Sequence, residues 1–166
     1  MAILVSDTSV LIDLERGQLL ELMFTCGLVL VVPDVLYQIE LEPHNGPYLR
    51  ALGLGVLTLN PEELSLVQTM NSRRSTLSLA DCFALVCALR DDHILLTGDG
   101  ALRTEAEKQG AKVCGLLWAL DQIEASNKVT NATLHAALSQ ISNHKNCRLP
   151  KNEVNARLNK WAGFQE

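Results

Sequence analysis

Apolar positions in this chain fall into two alternating rhythms. Short aliphatic runs such as Ile3-Leu4-Val5 and Leu28-Val29-Leu30-Val31-Val32 are separated by longer stretches with apolar residues three and four apart. The runs predict strands near residues 2–6, 28–32, 55–59, 93–97 and 111–114. The longer stretches predict helices near 9–24, 34–42, 46–53, 61–71, 78–91, 99–109 and 116–125. Strands this uniformly apolar need cover on both faces, as crossover helices provide, so the pattern predicts an α/β three-layer sandwich around a parallel sheet of about five strands. After Ser126 the alternation stops. Leu134, Ala137, Leu138 and Ile141 recur at helical spacing, as do Val154, Leu158 and Trp161, with Pro150 between the two sets. Residues 1–125 therefore predict one α/β domain, and 126–166 a helical pair packed on that domain or on a partner subunit.

Four acids stand out against this framework. Asp7 follows the first strand, Glu40 closes a short helix, Asp81 opens an apolar helix, and Asp99 follows His93-Ile94-Leu95-Leu96-Thr97. Two of them therefore lie at the carboxyl ends of buried strands, the edge where open α/β sheets bind ligands. Carboxylates gathered there repel one another unless a hard cation stands between them. Each also has a local reading. Asp7 and Asp99 are suited to capping the helices that follow, and Ser78-Leu79-Ala80-Asp81 has the form of a capping box with a shortened acid. The joint reading, one metal site at one sheet edge, accounts for all four together.

Composition narrows the setting. With 166 residues and 48% hydrophobic content, the chain suits one globular unit with a sizeable core. No apolar run approaches the roughly 18 residues of a membrane span, and the amino terminus lacks the features of a signal peptide. A soluble, cytoplasmic protein is expected. Cys26, Cys82, Cys87, Cys114 and Cys147 are odd in number and form no C-x-x-C pair, which argues against zinc and disulfides. The net charge of −5 conceals an asymmetry. Residues 145–166 hold five bases (Lys145, Arg148, Lys151, Arg157, Lys160) against Glu153 and Glu166, a balance of +3 that leaves −8 for residues 1–144. The tail is basic and the body acidic.

The segments carrying the acids also resemble a known family. Val5-Ser6-Asp7-Thr8-Ser9, then Val32-Pro33-Asp34-Val35-Leu36-Tyr37-Gln38-Ile39-Glu40, then Leu77-Ser78-Leu79-Ala80-Asp81, then Leu95-Leu96-Thr97-Gly98-Asp99 are similar to the four motifs of the PIN domain. Cys114-Gly115-Leu116-Leu117-Trp118-Ala119-Leu120 resembles the segment after its last strand, so the likeness covers roughly residues 3–125. The resemblance implies a metal-dependent nuclease. Asp7, Glu40, Asp81 and Asp99 match the family's acidic quartet, as metal-binding and catalytic residues, and Thr97 its supporting hydroxyl. It also implies Mg2+ or Mn2+ as cofactor, single-stranded or structured RNA as substrate, a 5′-phosphate and a 3′-hydroxyl as products, and a homodimer. For the small members that are toxins, it implies an antitoxin protein as partner. The alternative is a non-catalytic PIN-fold module that binds RNA or protein.

Other residues divide between site and surface. Arg73 and Arg74 precede the Asp81 helix and are candidate phosphate-binding residues at the cleft rim. Arg103 is read as supporting its own helix and Asp34 as capping the helix of Glu40, while Asp13, in the first helix near the cleft rim, is not counted among the site residues. Glu42, two residues from Glu40, lies on a different helix face. His44, His93, His135 and His144 share no metal-ligand spacing. A dinucleotide fold is excluded because Gly53-Leu54-Gly55 precedes a strand and lacks a third glycine. A dehalogenase-type phosphatase requires an acid two residues after the first, where this chain has Ser9.

Overall fold

The computed structural model describes residues 2–73 and 76–163. Five strands, β1 (Ile3–Ser6), β2 (Val29–Pro33), β3 (Gly55–Leu57), β4 (His93–Leu96) and β5 (Lys112–Cys114), form one sheet in the order β3-β2-β1-β4-β5. Every pairing is parallel, with Leu4 opposite Leu30 on one side and Ile94 on the other. The chain builds outward from β1 to β2 and β3, then returns to β4 on the other flank. The carboxyl ends of β1 and β4 therefore flank the point where strand order reverses, which opens a crevice above the sheet.

The helices are α1 (Thr8–Arg16), α2 (Leu20–Met23), α3 (Asp34–Leu36), α4 (Gly46–Leu52), α5 (Pro61–Ser72), α6 (Leu79–Ala88), α7 (Gly100–Lys108), α8 (Leu116–Ala125), α9 (Asn131–Ser142) and α10 (Lys151–Ala162). The sheet and the helical layers were legible in the pattern, but the first helix is not continuous. It stops at Gly17, and Gln18 takes a positive φ of 59° before α2 begins. A Cβ at Gly17 would stand 2.7 Å from Ile141 Cδ1, so the break lets α9 approach α1 closely. Helix α6 is apolar around its whole circumference, and Cys82 through Ala88 are all buried between the sheet and its neighbouring helices.

The segment after α3 departs further from a regular helix. Tyr37–Leu41 form a π-helical turn, with the Glu42 N–H donating to the Tyr37 carbonyl at 2.7 Å. Such widened turns recur at functional sites. Here the extra residue allows Leu36 and Leu41, five apart, both to reach the core, and holds Glu40 half-buried between them. Asp34 is the first residue of α3, where its carboxylate accepts from the Val35 N–H at 2.8 Å, and Pro33 occupies the cap position assigned to Asp34 from the sequence. The turn closes against Gly46, where an added Cβ would lie 2.8 Å from both the Leu41 carbonyl carbon and its oxygen. Gly46→Ala is therefore expected to destabilise the fold by about 1–3 kcal/mol. Urea denaturation checks this, and an unchanged midpoint would refute the close packing.

Helices α9 and α10 pack against each other, and α9 rests on α1 and α8 of the same chain. Among the described residues, no helix is long and apolar enough to cross a membrane.

Candidate active site

The crevice above β1 and β4 is built around one buried carboxylate. Asp7, only 5% exposed, immediately follows β1, and its N–H donates to the Leu96 carbonyl at 3.0 Å, extending the ladder one residue past the strand. Its Oδ1 accepts from Ser9 Oγ at 2.8 Å and from the Val10 N–H at 3.1 Å, which caps α1. Its Oδ2 accepts from the Thr97 hydroxyl. Thr97, fully buried, follows β4 and pairs its N–H with the Cys114 carbonyl at 3.0 Å, so the hydroxyl is held by the sheet itself. The same Thr97 Oγ1 accepts the Asp99 N–H at 3.0 Å. One hydroxyl thus ties the ends of β1 and β4 together.

Burial is the largest influence on Asp7 and raises its pKa above the ordinary 3.8, against the lowering effect of Thr97, Ser9 and Val10, while the charge of Asp81 raises it further. Glu40 is also raised, first by burial and then by Asp81 and Asp7. The Thr8 hydroxyl works in the opposite direction on Glu40. That hydroxyl is buried and has no hydrogen-bond partner among the described residues, so it faces the carboxylate without completing a bond. Three of the predicted acids, from β1, the π turn and α6, are therefore close enough to repel one another.

The local readings hold at the same time. Asp81 and Ser78 form a reciprocal capping box, with both bonds at 3.1 Å. Asp99, exposed, caps α7 by accepting from the Ala101 N–H at 2.9 Å. Each aspartate of the quartet thus satisfies a helix N-terminus, whose dipole favours the negative charge there. Asp99 is linked to Asp7 through its backbone N–H on Thr97, while its exposed carboxylate serves the α7 cap. Among the described residues, no three His, Cys, Asp or Glu side chains stand close enough to enclose a metal ion together.

A family model described as PIN domain matches residues 3–162. The chain belongs to the PIN domain family. PIN domains are nucleases as a class and typically use divalent metals. The match includes α9 and the whole of α10, beyond the span that the motif segments covered. No curated protein and no solved structure matches the chain.

The arginines proposed for the rim of this PIN domain fare differently. Arg73 ends α5 as an exposed residue that lines none of the main cavities, and Arg74 lies outside the described residues. Arg103 reaches Glu107 on its own helix at 3.9 Å. Asp13 does reach the rim, paired at 3.3 Å with Arg16. Sequence reasoning overlooked Thr8 and Ser9, although hydroxyls directly after a strand-end aspartate are well placed to steady it. It also overlooked the basic residues of the α9–α10 loop, which line the same cleft as Asp99.

Proposed function

We propose that this PIN domain is a divalent-metal-dependent ribonuclease that hydrolyses phosphodiester bonds in single-stranded or looped RNA. The observation that carries this reading is the buried Asp7, held by Thr97 from the neighbouring strand and repelled by Glu40 and Asp81 at the crevice of a parallel sheet. A site that gathers mutually repelling carboxylates suits a cation better than an apolar ligand. The donor set fits hydrated magnesium or manganese, because magnesium keeps several waters and needs only one or two carboxylates directly.

Asp7 is the central ligand in this reading, with Asp81 and Asp99 beside it and Glu40 completing the set. When bound, a divalent cation neutralises the approaching phosphodiester and makes attacking water more acidic. Thr97 orients Asp7, and Ser9 fixes its other oxygen. The five cysteines are free, which supports a reducing, cytoplasmic setting. The narrower roles, a toxin restrained by an antitoxin protein and a homodimer, are proposed on the family resemblance alone. Light scattering checks the dimer against the 18.2 kDa single chain.

The test of catalysis is cleavage of a labelled single-stranded RNA with magnesium or manganese, compared with Asp99→Asn and with chelator. Cleavage is expected in the parent only, and chelation is expected to stop it. A parent that binds RNA and gains thermal stability from neither metal would instead support a non-catalytic binding module.

A further inference from the structure

We propose that Lys145 and Arg148, on the loop joining α9 to α10, form a phosphate-binding wall that grips the substrate backbone beside the acidic edge. The proposal rests on the ribonuclease reading and assigns to the tail a part in substrate binding. Both side chains line a cleft of about 480 Å³ together with Ser9, Gly98 and Asp99, which lie in the segments that follow β1 and β4.

The tail's positive charge is divided between two jobs. Arg157 clasps Asp121 with two bonds, at 2.9 and 2.7 Å, and Lys160 reaches Glu124 at 2.9 Å, so these cations fasten α10 to α8. Lys145 and Arg148 are exposed and form no ion pair among the described residues. Arg16, also in the cleft, is already paired with Asp13. The two open cations therefore share the cleft with the exposed carboxylate of Asp99.

Their placement is fixed by the fold. The loop leaves the buried Ile141 and enters α10 just before the buried Val154, and His144 holds its start through the Asn146 N–H at 3.1 Å and the Cys147 N–H at 3.0 Å. Leu149 packs against the core between the loop and α10. A polyanion approaching a body of charge −8 meets net repulsion, so a cationic wall at the point of entry is what allows it to reach the carboxylates. Phosphate contacts of this kind position a strand without reading its bases.

The experiment is fluorescence anisotropy of a labelled single-stranded RNA over a salt series, with calcium replacing magnesium. Lys145→Ala/Arg148→Ala is compared with Lys108→Ala/Lys112→Ala, which removes the same charge away from the cleft. Losing two phosphate contacts should flatten the log–log salt slope by about 1.4, equivalent to roughly 25-fold weaker binding at 0.1 M salt. The control pair should leave the slope unchanged, and both variants should melt with the parent. Equal binding by the loop variant and the parent, or equal losses in both pairs, would overturn the wall while leaving cleavage by the parent intact. A parent that cuts no RNA with magnesium or manganese would instead remove the reading beneath it.

Discussion

Asp7→Asn is expected to abolish RNA cleavage and, at neutral pH without metal, to melt at a higher temperature than the parent. The loss of rate should exceed the roughly 10–100-fold that removing an outer-shell partner of a metal costs, because the substitution removes the central ligand itself. The gain in stability follows from the sign of the pKa shift. Burial holds the folded-state pKa of Asp7 above its ordinary 3.8, so the folded chain binds that proton more tightly than the unfolded chain does. The resulting stabilisation is full below the unfolded value and is lost as pH rises through the folded one. Glu40 shifts in the same direction and adds to the effect. At neutral pH the metal-free parent therefore carries two partly buried, mutually repelling negative charges.

Asparagine removes one of these charges while keeping the bonds to Ser9 and Val10 and reversing the one to Thr97. Its oxygen can still accept from Ser9 and Val10, and its amide can donate to Thr97, whose second lone pair already serves the Asp99 N–H. The advantage of the variant should shrink as the pH is lowered into the carboxylate range. It should also reverse when metal is added, since a ligand at 100 times its Kd stabilises the parent by about 2.7 kcal/mol. Melting curves of both proteins, across pH and with and without magnesium, decide the matter. A variant that melts below the parent at every pH and shows the same metal shift would remove Asp7 from the site.

The candidate site's acids are easier to read from the sequence than the groups that hold them, and the reason is physical. A strand-end aspartate is marked by the apolar run before it, and an acid three residues after a serine by its capping chemistry. Both marks are local, so Asp7, Asp81 and Asp99 could be read one by one. The link through Thr97 depends on β1 and β4 being neighbours, a fact of sheet order that no local spacing reveals. The π turn was equally hidden, because Asp34–Glu42 reads as an ordinary short helix until Gly46 is seen packed against Leu41. The tail's charge was visible as a total, but its division into fastening and open cations required knowing that Asp121 and Glu124 on α8 face α10.

That division bears on the second large effect, expected at Trp161. The side chain is fully buried near the end of α10, and its Nε1–H donates to Glu124 at 2.6 Å. Burial raises the Glu124 carboxyl, but Lys160, Trp161 and Arg157 outweigh it, and the group rests below its ordinary pKa. Trp161→Ala should cost about 3–5 kcal/mol, by analogy with large-to-small core substitutions, and lower Tm by roughly 6–20 °C in a domain of this size. Trp161→Phe keeps most of the volume and should cost mainly the hydrogen bond, about 1–3 kcal/mol. Arg157→Ala breaks a pair that is partly open to water and should cost no more than about 1 kcal/mol. This ordering separates two accounts of α9 and α10. If the helices are built into the same core as the sheet, Trp161→Ala lowers one cooperative transition that includes β1 and α6. If they are an appendage, the melt divides and the larger transition keeps the parent's midpoint. The first outcome is expected, because α10 packs on α9, and α9 rests on α1, the helix that Asp7 caps.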